Sequence, residues 1–493
     1  MSSTAHTSDS GKTPSLTSPL TPSFLPPLTP EQTRMVLIGI SLASFMTPFG
    51  ASMLNLSLPE IGADFSVSAH ALGWVATAYL FASVLFLVPM ARLSDLIGRK
   101  KIFMTGMVLA AVSAIIQPFS PTFHVLILLR VLDGIAMACV FSTSLPILSS
   151  IYPASKRGSV FGINVAVVYI GSSLGPVIGG IMTQNFGWRS LYLLLIPLAI
   201  VSIILVHRSL KIDFIEGKGE PYDKKGALLY MVTIFFVLFG LSNLPEMWAF
   251  GSLAIGLAVL PIFIYYTKNQ EYPIMQIRLF FTNKHFSRSN FAAFFNYAGT
   301  YAIAFFLSLY LQRVLGLAAG SAGLILLVQP LLQAIFSPFV GRLSDRMDSR
   351  YLSTFGMLLL AVGLFCLSTL NVNSEIWHLI VFQIIIGIGF AFFASPNTST
   401  IMGCVSRKDY SSASASLSVM RQSGMVLSMA IAMCAISIFL GSTEMLREDT
   451  MPLFLTAMRT TFYIGIVFCL SGAVLSYLRG PSVREDEEIC EIL

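Results

Sequence analysis

Residues 91–103 read ARLSDLIGRKKIF, and residues 341–351 read GRLSDRMDSRY. The tetrapeptide Arg-Leu-Ser-Asp occurs in both stretches, and each stretch joins two long apolar segments. A charged hairpin repeated at corresponding places predicts a chain made of two related halves. Repeated halves within a membrane are typical of proteins that rock one half against the other around a central site.

The composition predicts a membrane protein and excludes a water-soluble globule. Of the 493 residues, 55% are hydrophobic and only 11% are charged, whereas soluble chains average about 25% charged residues. Apolar runs of about 20 residues recur along the chain, and each can cross a bilayer core of about 30 Å. We therefore expect an all-α polytopic protein with the lipid bilayer as its surroundings.

Fourteen apolar spans can be placed along the sequence. Because the repeated hairpin follows the second and the tenth of them, spans 1–6 and 9–14 are expected to form two pseudo-symmetric six-helix bundles, with spans 7 and 8 inserted between them. The spans lie near 35–55, 70–90, 102–120, 124–147, 158–183, 188–207, 226–243, 248–267, 288–311, 319–340, 351–370, 376–398, 411–440 and 456–479.

Lysine and arginine predict the orientation in the membrane, because cytoplasmic loops carry the excess of these residues. With an inside N-terminus, 24 of them fall on the inside and 4 on the outside. Both termini are thus expected in the cytoplasm of a multi-pass plasma-membrane protein. The formal charge of +6 is then explained by topology, so we expect no nucleic-acid partner.

The expected organisation follows from these spans. Residues 1–33 contain 20 Pro, Ser and Thr residues, which is typical of a disordered segment. The expected parts are a cytoplasmic N-tail at 1–33, the first bundle at 34–208, a cytoplasmic linker at 209–225, two inserted helices at 226–267, a cytoplasmic loop at 268–287, the second bundle at 288–479 and an acidic tail at 480–493.

Catalytic and cofactor chemistry has no support in the sequence. The six cysteines and six histidines are scattered, without the spacing of a metal or nucleophile site. The phosphate-binding pattern G-x-x-x-x-G-K-[ST] does not occur. We expect neither an enzyme nor an ATP-driven pump, and neither a cofactor nor a metal.

Residues 171–180 read GSSLGPVIGG. Gly171, Gly175 and Gly179 recur at every fourth position, so they form a smooth helix face that another helix can approach closely. Pro176 removes a backbone donor and is expected to bend the helix there. Gly180 completes the motif.

The fourth span contains LLRVLDG, in which Arg130 and Asp133 lie three residues apart and so share one helix face. Asp133 is the one acid of the sequence expected deep in a span, about 14 Å from the span's outer end at 1.5 Å per residue. A charge there costs about 3 kcal/mol or more and tends to mark function. A structural ion pair that fixes helix packing is the alternative interpretation.

Together these motifs resemble those of the major facilitator superfamily, specifically its fourteen-helix drug:proton antiporter branch, over residues 35 to 479. The segment 278–327 and Arg421-Gln422 with Gly424 are also similar to that branch. The resemblance implies a cytoplasmic gate at the two hairpins, an antiporter motif at 171–180 and a central cavity. The implied gate residues are Arg92, Asp95, Gly98, Arg99, Lys100, Arg342 and Asp345, and the cavity candidates are Arg421, Gln422 and Asn55.

The chain departs from the family pattern at two informative positions. Asp133 stands where the family usually has Gln, and Gly50 stands where it usually has an Asp in the first helix. In the gate motifs, Ala91 replaces the first Gly of one copy and Asp348 the second Gly of the other. The loss of the first-helix acid bears on proton coupling and on binding of cationic drugs.

The resemblance implies a monomeric secondary transporter that exports small, lipophilic compounds in exchange for protons by alternating access. In this interpretation Asp133 carries the proton and Arg130 stabilises its ionised form. The alternatives are a narrow-specificity metabolite exporter, an importer on the same fold, and a membrane sensor that does not transport.

Overall fold

The computed structural model describes residues 29–152, 154–344, 346–405, 410–441 and 450–481. Within these ranges the side chains at 69, 154–159, 161, 162, 165, 166, 410 and 411 are not described. The regular structure of the described residues is helical, as the sequence predicts.

Each predicted span falls on one long helix, and we number these helices in chain order. They are α1 Pro30–Phe65, α2 Ala69–Ile97, α3 Arg99–Ile116, α4 Phe123–Ile151, α5 Ala154–Phe186, α6 Ser190–Ser209, α7 Lys224–Ser242, α8 Met247–Lys268, α9 Lys284–Val314, α10 Ala319–Ser344, α11 Ser349–Ser368, α12 Ile376–Gly403, α13 Tyr410–Leu440 and α14 Met451–Leu478.

Thirteen of these helices, all except α5, are long and apolar enough to cross a membrane by length and composition. The 33 residues of α5 extend about 50 Å at 1.5 Å per residue, which also exceeds a bilayer core. The helix α9 is irregular near Tyr301 and ends in a π-helical turn at Tyr310–Val314. The all-helical polytopic fold is confirmed.

The start of α1 differs from the prediction of a tail at 1–33. Thr29 accepts a hydrogen bond from the Gln32 amide (3.2 Å), and the Gln32 side chain accepts one from the Thr29 amide (3.0 Å). This reciprocal cap, followed by Pro30 at the first helical position, starts the helix there, so residues 30–33 are helical. Residues 1–28, and residues 482–493 of the predicted acidic tail, lie outside the described residues.

The two halves repeat one packing scheme, with each helix of the first half corresponding to the helix eight numbers later. In the first half α1 packs on α5 and α6, and α4 packs on α2 and α3. In the second half α9 packs on α13 and α14, and α12 packs on α10 and α11. The contact between α3 and α6 likewise corresponds to that between α11 and α14. The hairpin repeat therefore reflects a structural repeat.

Two seams join the halves, one between α2 and α13 and the other between α5 and α10. The inserted helices α7 and α8 pack on each other, and α7 also packs on α2 and α13. The Tyr230 hydroxyl of α7 donates to the Val84 carbonyl of α2 at 2.8 Å. The inserted pair thus lies along the α2–α13 seam.

We call the end of the molecule that carries the two Arg-Leu-Ser-Asp hairpins the motif end, and the opposite end the far end. Hydrogen bonds join the halves near the far end: Gln312 donates to the Leu56 carbonyl (3.0 Å) and Arg313 to the Pro59 carbonyl (2.9 Å). Gln184 accepts from the Gly320 amide (3.3 Å) across the α5–α10 seam. These contacts close the far end above the space between the halves.

Candidate functional site

A central cavity of about 350 Å³ lies between the halves, lined by residues of α1, α2, α4, α5, α9, α10, α12 and α13. Six aromatic side chains and a set of uncharged polar groups form most of its wall. The aromatic residues are Tyr79, Phe141, Tyr169, Tyr297, Tyr301 and Phe390, and the polar ones include Thr47, Ser52, Asn55, Ser172, Thr300, Gln329, Gln333, Ser418 and Gln422. Such a wall is typical of sites for small, mostly apolar molecules.

All three residues that the sequence predicts as cavity candidates line this space: Asn55 from α1, and Arg421 and Gln422 from α13. The Asn55 carbonyl also accepts a hydrogen bond from Ser308 of the opposite half. The Gln422 side chain is 7% exposed, and its carbonyl oxygen is buried without a hydrogen-bond partner.

Arg421 is the one charged residue in the described lining of the central cavity. One guanidinium nitrogen donates to the Thr398 hydroxyl at 2.7 Å, and the guanidinium carbon lies 5.8 Å from the centre of the Tyr297 ring. Its Nε is buried and has no hydrogen-bond partner. Gly424 allows α13 to approach α9 closely, since a Cβ there would collide with the Phe294 carbonyl oxygen of α9.

Arg130 and Asp133 form a salt bridge within α4, with Nη1 and Oδ2 2.9 Å apart and with side chains only 6% and 13% exposed. Asp133 lies about 15 Å from the start of α4 at 1.5 Å per residue, well inside this helix of 29 residues. Gln117 at the end of α3 donates a second hydrogen bond to the same Asp133 oxygen (3.1 Å). The carboxylate is therefore held by two donors from two helices.

The neighbouring helix α2 fixes the orientation of Arg130. The guanidinium Nε donates to the Val75 carbonyl at 2.9 Å, and the group lies 4.8 Å from the centre of the Tyr79 ring. Gly134 allows this contact, because a Cβ there would collide with the Tyr79 carbonyl oxygen and the Ala82 Cβ of α2. Arg130 and Gly134, four residues apart on α4, thus both lie where α4 packs closely against α2.

A small side cavity of about 30 Å³ adjoins the charged pair and shares part of its wall with the central cavity. Arg130, Asp133 and Gly50 line the side cavity, while Thr47, Ala51 and Tyr79 line both cavities. The side cavity has room for at least one water, since a water needs about 10–15 Å³ on this measure. Gly50, where the family pattern expects an acid, therefore faces the same space as Asp133.

The first hairpin copy carries a dense set of ion pairs. Arg99 is almost fully buried and contacts Asp95 at 2.9 Å and Glu216 at 2.6 Å. It also donates to the Ser150 hydroxyl of α4 (3.0 Å). Arg92 contacts Glu220 at 2.7 Å. Residues 210–223, which we call the strap, supply Glu216 and Glu220.

The strap also caps α3. The Asp213 carboxylate accepts from the backbone amides of Lys100 (2.8 Å) and Lys101 (3.2 Å), which is the favourable position for a negative charge at a helix N-terminus. Gly98 has a φ of 121°, and a side chain there would collide with Asp213. Lys100, predicted as a gate residue, thus contributes its backbone amide to this cap.

The second hairpin copy is different. Arg342 is exposed, and within the described ranges it takes part in no ion pair. Asp345 lies outside the described residues. The N-terminus of α11 is capped from within the hairpin by Asp348, which accepts from the Arg350 amide at 2.9 Å.

The glycines of the predicted antiporter motif lie at two helix contacts. Gly171, Gly175 and Gly179 face α1, where a Cβ on Gly175 would lie 2.5 Å from the Ser52 Cβ. Gly180 faces the α10 backbone across the seam between the halves. Pro176 lines the central cavity. The motif thus brings α5 close to α1 within one half and to α10 of the other.

Sequence reasoning missed the strap acids Asp213, Glu216 and Glu220, as well as Gln117. The strap sequence KIDFIEGKGEPYD places acids among lysines, and this alternation was the available signal. It does not reveal that the acids face Arg92, Arg99 and the start of α3. Among the described residues, no group of three or more His, Cys, Asp or Glu could hold a metal ion.

The chain matches a family model described as Major Facilitator Superfamily over residues 40–269 and 290–488. It is similar to the riboflavin transporter RibZ of Clostridioides difficile, with 26% identity across 90% of this chain and 97% of the relative. It is also similar to the multidrug resistance protein Stp of Mycobacterium tuberculosis, with 26% identity across 83% of this chain and 77% of that protein.

A solved structure shares the fold. The crystal structure of a bacterial homolog of the human lysosomal transporter Spinster, in an inward-facing and unoccupied conformation, aligns with a TM-score of 0.63 and 16% identity. The alignment covers 92% of this chain and 97% of the solved one.

Proposed function

This chain belongs to the Major Facilitator Superfamily, and we propose that it exports small, lipophilic compounds in exchange for protons by alternating access. It is a membrane transporter rather than an enzyme, as its family and its relatives are. The finer proposal concerns its direction, its substrates and its coupling ion. The placement of Asp133 beside the central cavity carries it.

The central cavity supports a lipophilic cargo. Its six aromatic side chains and uncharged polar groups offer stacking and hydrogen-bond contacts to a molecule that partitions into membranes. Stp, one of the similar proteins, is named a multidrug resistance protein. The glycine motif of α5, which reaches α10 at the seam, supports a joint between two halves that move against each other.

Asp133 supports proton coupling. Its carboxylate is largely buried and is paired with Arg130. It lines the side cavity, and Tyr79 lines both the side cavity and the central cavity. Arg130 stabilises the ionised carboxylate while burial destabilises it, so small changes in water access decide its protonation. Protonation would release Arg130 from its partner and shift the balance between the inward-open and outward-open arrangements.

The driving force is sufficient for useful export. One proton that enters down a potential of about 100 mV releases about 2.3 kcal/mol. This sustains a gradient of about 40-fold for a neutral compound, since 1.4 kcal/mol corresponds to tenfold.

We place the motif end in the cytoplasm of a plasma-membrane protein, with both termini inside, because the lysines and arginines concentrate there. In that orientation the contacts of Gln312, Arg313 and Gln184 close the outer side. Alternating access requires these contacts to part in the other half of the cycle. We propose that a single chain performs this cycle.

A narrow-specificity exporter of one aromatic metabolite is the second candidate. It is favoured by the likeness to RibZ, named a riboflavin transporter, across nearly its whole length. The two candidates differ in how many compounds compete for the central cavity.

The test is efflux from proteoliposomes under an imposed pH gradient, with a panel of neutral, anionic and cationic aromatic dyes. We expect the wild type to move several dyes against their gradients and Asp133→Asn to fall to the rate of protein-free vesicles. Glu246→Gln, at an exposed carboxylate beyond α7, is the control and should keep the wild-type rate.

Two results would contradict the proposal. Unchanged pH-driven efflux in Asp133→Asn would show that Asp133 does not carry the coupled proton. A wild type that moves no dye in the panel contradicts multidrug export, and single-compound transport would favour the second candidate.

A further inference from the structure

The central cavity carries one positive charge that no acid of the described chain neutralises. Arg421 lines it, whereas the carboxylates that pair with other arginines, such as Asp133 with Arg130, lie outside its described wall. Arg421 itself has a hydroxyl and an aromatic ring as its neighbours. An unneutralised charge within the membrane is costly and is retained where it binds something.

The guanidinium of Arg421 has unused hydrogen-bonding capacity. It has five N–H donors in a planar fork that suits the two oxygens of a carboxylate or sulfonate. Among the described residues, Thr398 accepts from one of these donors, and Nε is buried without a partner. An anionic group in the cavity would accept hydrogen bonds from the outer N–H groups of the guanidinium and would offset its charge.

The rest of the wall fits the body of such a ligand. Tyr297 lies both beside Arg421 and in the cavity lining, so an aromatic ring attached to the anion can stack there. A cavity of about 350 Å³ accommodates a molecule of two or three fused rings. Gln422 also lines the cavity and places a polar side chain next to the arginine in the sequence.

We propose that the central cavity binds planar aromatic anions, with Arg421 as the anion-binding residue, and that it disfavours aromatic cations of the same size. This inference rests on the proposed transport function, because it names the substrate class of the same cavity. It is distinct from proton coupling, because proton coupling is assigned to Asp133, outside the central cavity, and anion binding to Arg421, within it.

The test is equilibrium binding to purified protein in nanodiscs, at one fixed ionic strength and without a pH gradient. Three radiolabelled probes share one ring system and differ in charge: naphthalene-2-sulfonate, naphthalene-2-sulfonamide and trimethyl(naphthalen-2-ylmethyl)ammonium. We expect wild type to bind the sulfonate about tenfold to a hundredfold more tightly than the neutral sulfonamide, as for a charge-assisted hydrogen bond. The ammonium probe should bind most weakly.

Substitutions assign the preference to Arg421. Arg421→Gln should abolish the preference for the sulfonate and leave sulfonamide affinity within about threefold, which also shows that the cavity is intact. Arg421→Lys should keep part of the preference. Arg459→Gln is the matched control, because Arg459 also has a buried Nε without a partner but is absent from the described cavity lining; it should bind as wild type does.

Equal affinity of wild type for the three probes, or a preference for the ammonium, would overturn the proposal. So would an equal loss of sulfonate and sulfonamide binding in Arg421→Gln, which would show a structural role. Asp133→Asn measured in parallel should bind the sulfonate normally. A wild type that moves no dye but keeps its preference for the sulfonate would contradict the transport proposal alone.

Discussion

Arg130 and Arg421 both lie within membrane-spanning helices, one in each half, but their surroundings are opposite. Arg130 contacts Asp133 at 2.9 Å and lines the side cavity, not the central cavity. Arg421 lines the central cavity and contacts the Thr398 hydroxyl and the Tyr297 ring. The first half therefore holds an arginine paired with an acid, and the second half holds an arginine that has no acidic partner among the described residues.

The same contrast appears at the motif end. Arg99 of the first half is buried against the acids Asp95 and Glu216. Arg479 of the second half is equally buried but donates to the neutral Asn397 side chain (3.1 Å) and Ser353 hydroxyl (3.1 Å). At this end, therefore, the buried arginine of the first half is paired with acids, whereas that of the second half donates hydrogen bonds to neutral side chains.

The largest expected effect concerns the position of the acid in the first half, which we expect can be moved from α4 to α1. Asp133→Gln should abolish pH-driven efflux. Adding Gly50→Asp should raise the efflux rate at least about tenfold above that of Asp133→Gln alone. Both positions line one side cavity, and a buried acid near Arg130 can exchange protons there. The measurement is dye efflux from proteoliposomes under a pH gradient.

The Gly50→Asp change is sterically reasonable, since a Cβ there would lie 3.5 Å from the nearest atom, a Leu195 methyl. Sulfonamide binding to the double variant provides the control for folding. A folded double variant with no recovery would show that coupling needs the acid on α4 itself.

A smaller effect sharpens the comparison at the motif end. Asp213→Ala removes the strap carboxylate that caps α3, at a cost of about 1 kcal/mol. Amide hydrogen exchange at residues 99–103 should then rise about fivefold. Exchange across the strap should rise with it, because the same change loosens its attachment.

Asp348→Ala is the matched change in the second half, where the cap comes from the hairpin itself. Faster exchange there should stay within the first turn of α11. Faster exchange in the strap after Asp348→Ala, or none after Asp213→Ala, would show that the two ends are not organised differently.

Much of the fold could be predicted from the sequence, because a bilayer requires spans of about 20 apolar residues and internally bonded backbones. The repeated hairpin located the two halves, and the Arg130–Asp133 spacing located the buried pair. The ends of α1 could not be predicted, since Thr29 and Gln32 extend it beyond the apolar run.

The partners of these residues depend on tertiary contacts that no local pattern records. Glu216 lies more than a hundred residues from Arg99 in the sequence, yet their side chains are 2.6 Å apart. That Gly50 and Asp133 share one side cavity likewise depends on how α1 packs beside α4. Arg421 could be placed in a cavity by resemblance, but only the structure shows that no acid of the described residues pairs with it.

The central claim is that Asp133 changes its protonation state within the working range of the transporter. Infrared difference spectroscopy of the protein in lipid, between about pH 5 and pH 9, measures this directly through the carbonyl stretch of a protonated carboxyl group. We predict a band from a buried carboxyl that appears on acidification in the wild type and is missing in Asp133→Asn. The same band in both proteins, or an Asp133 that stays ionised throughout, would contradict the account.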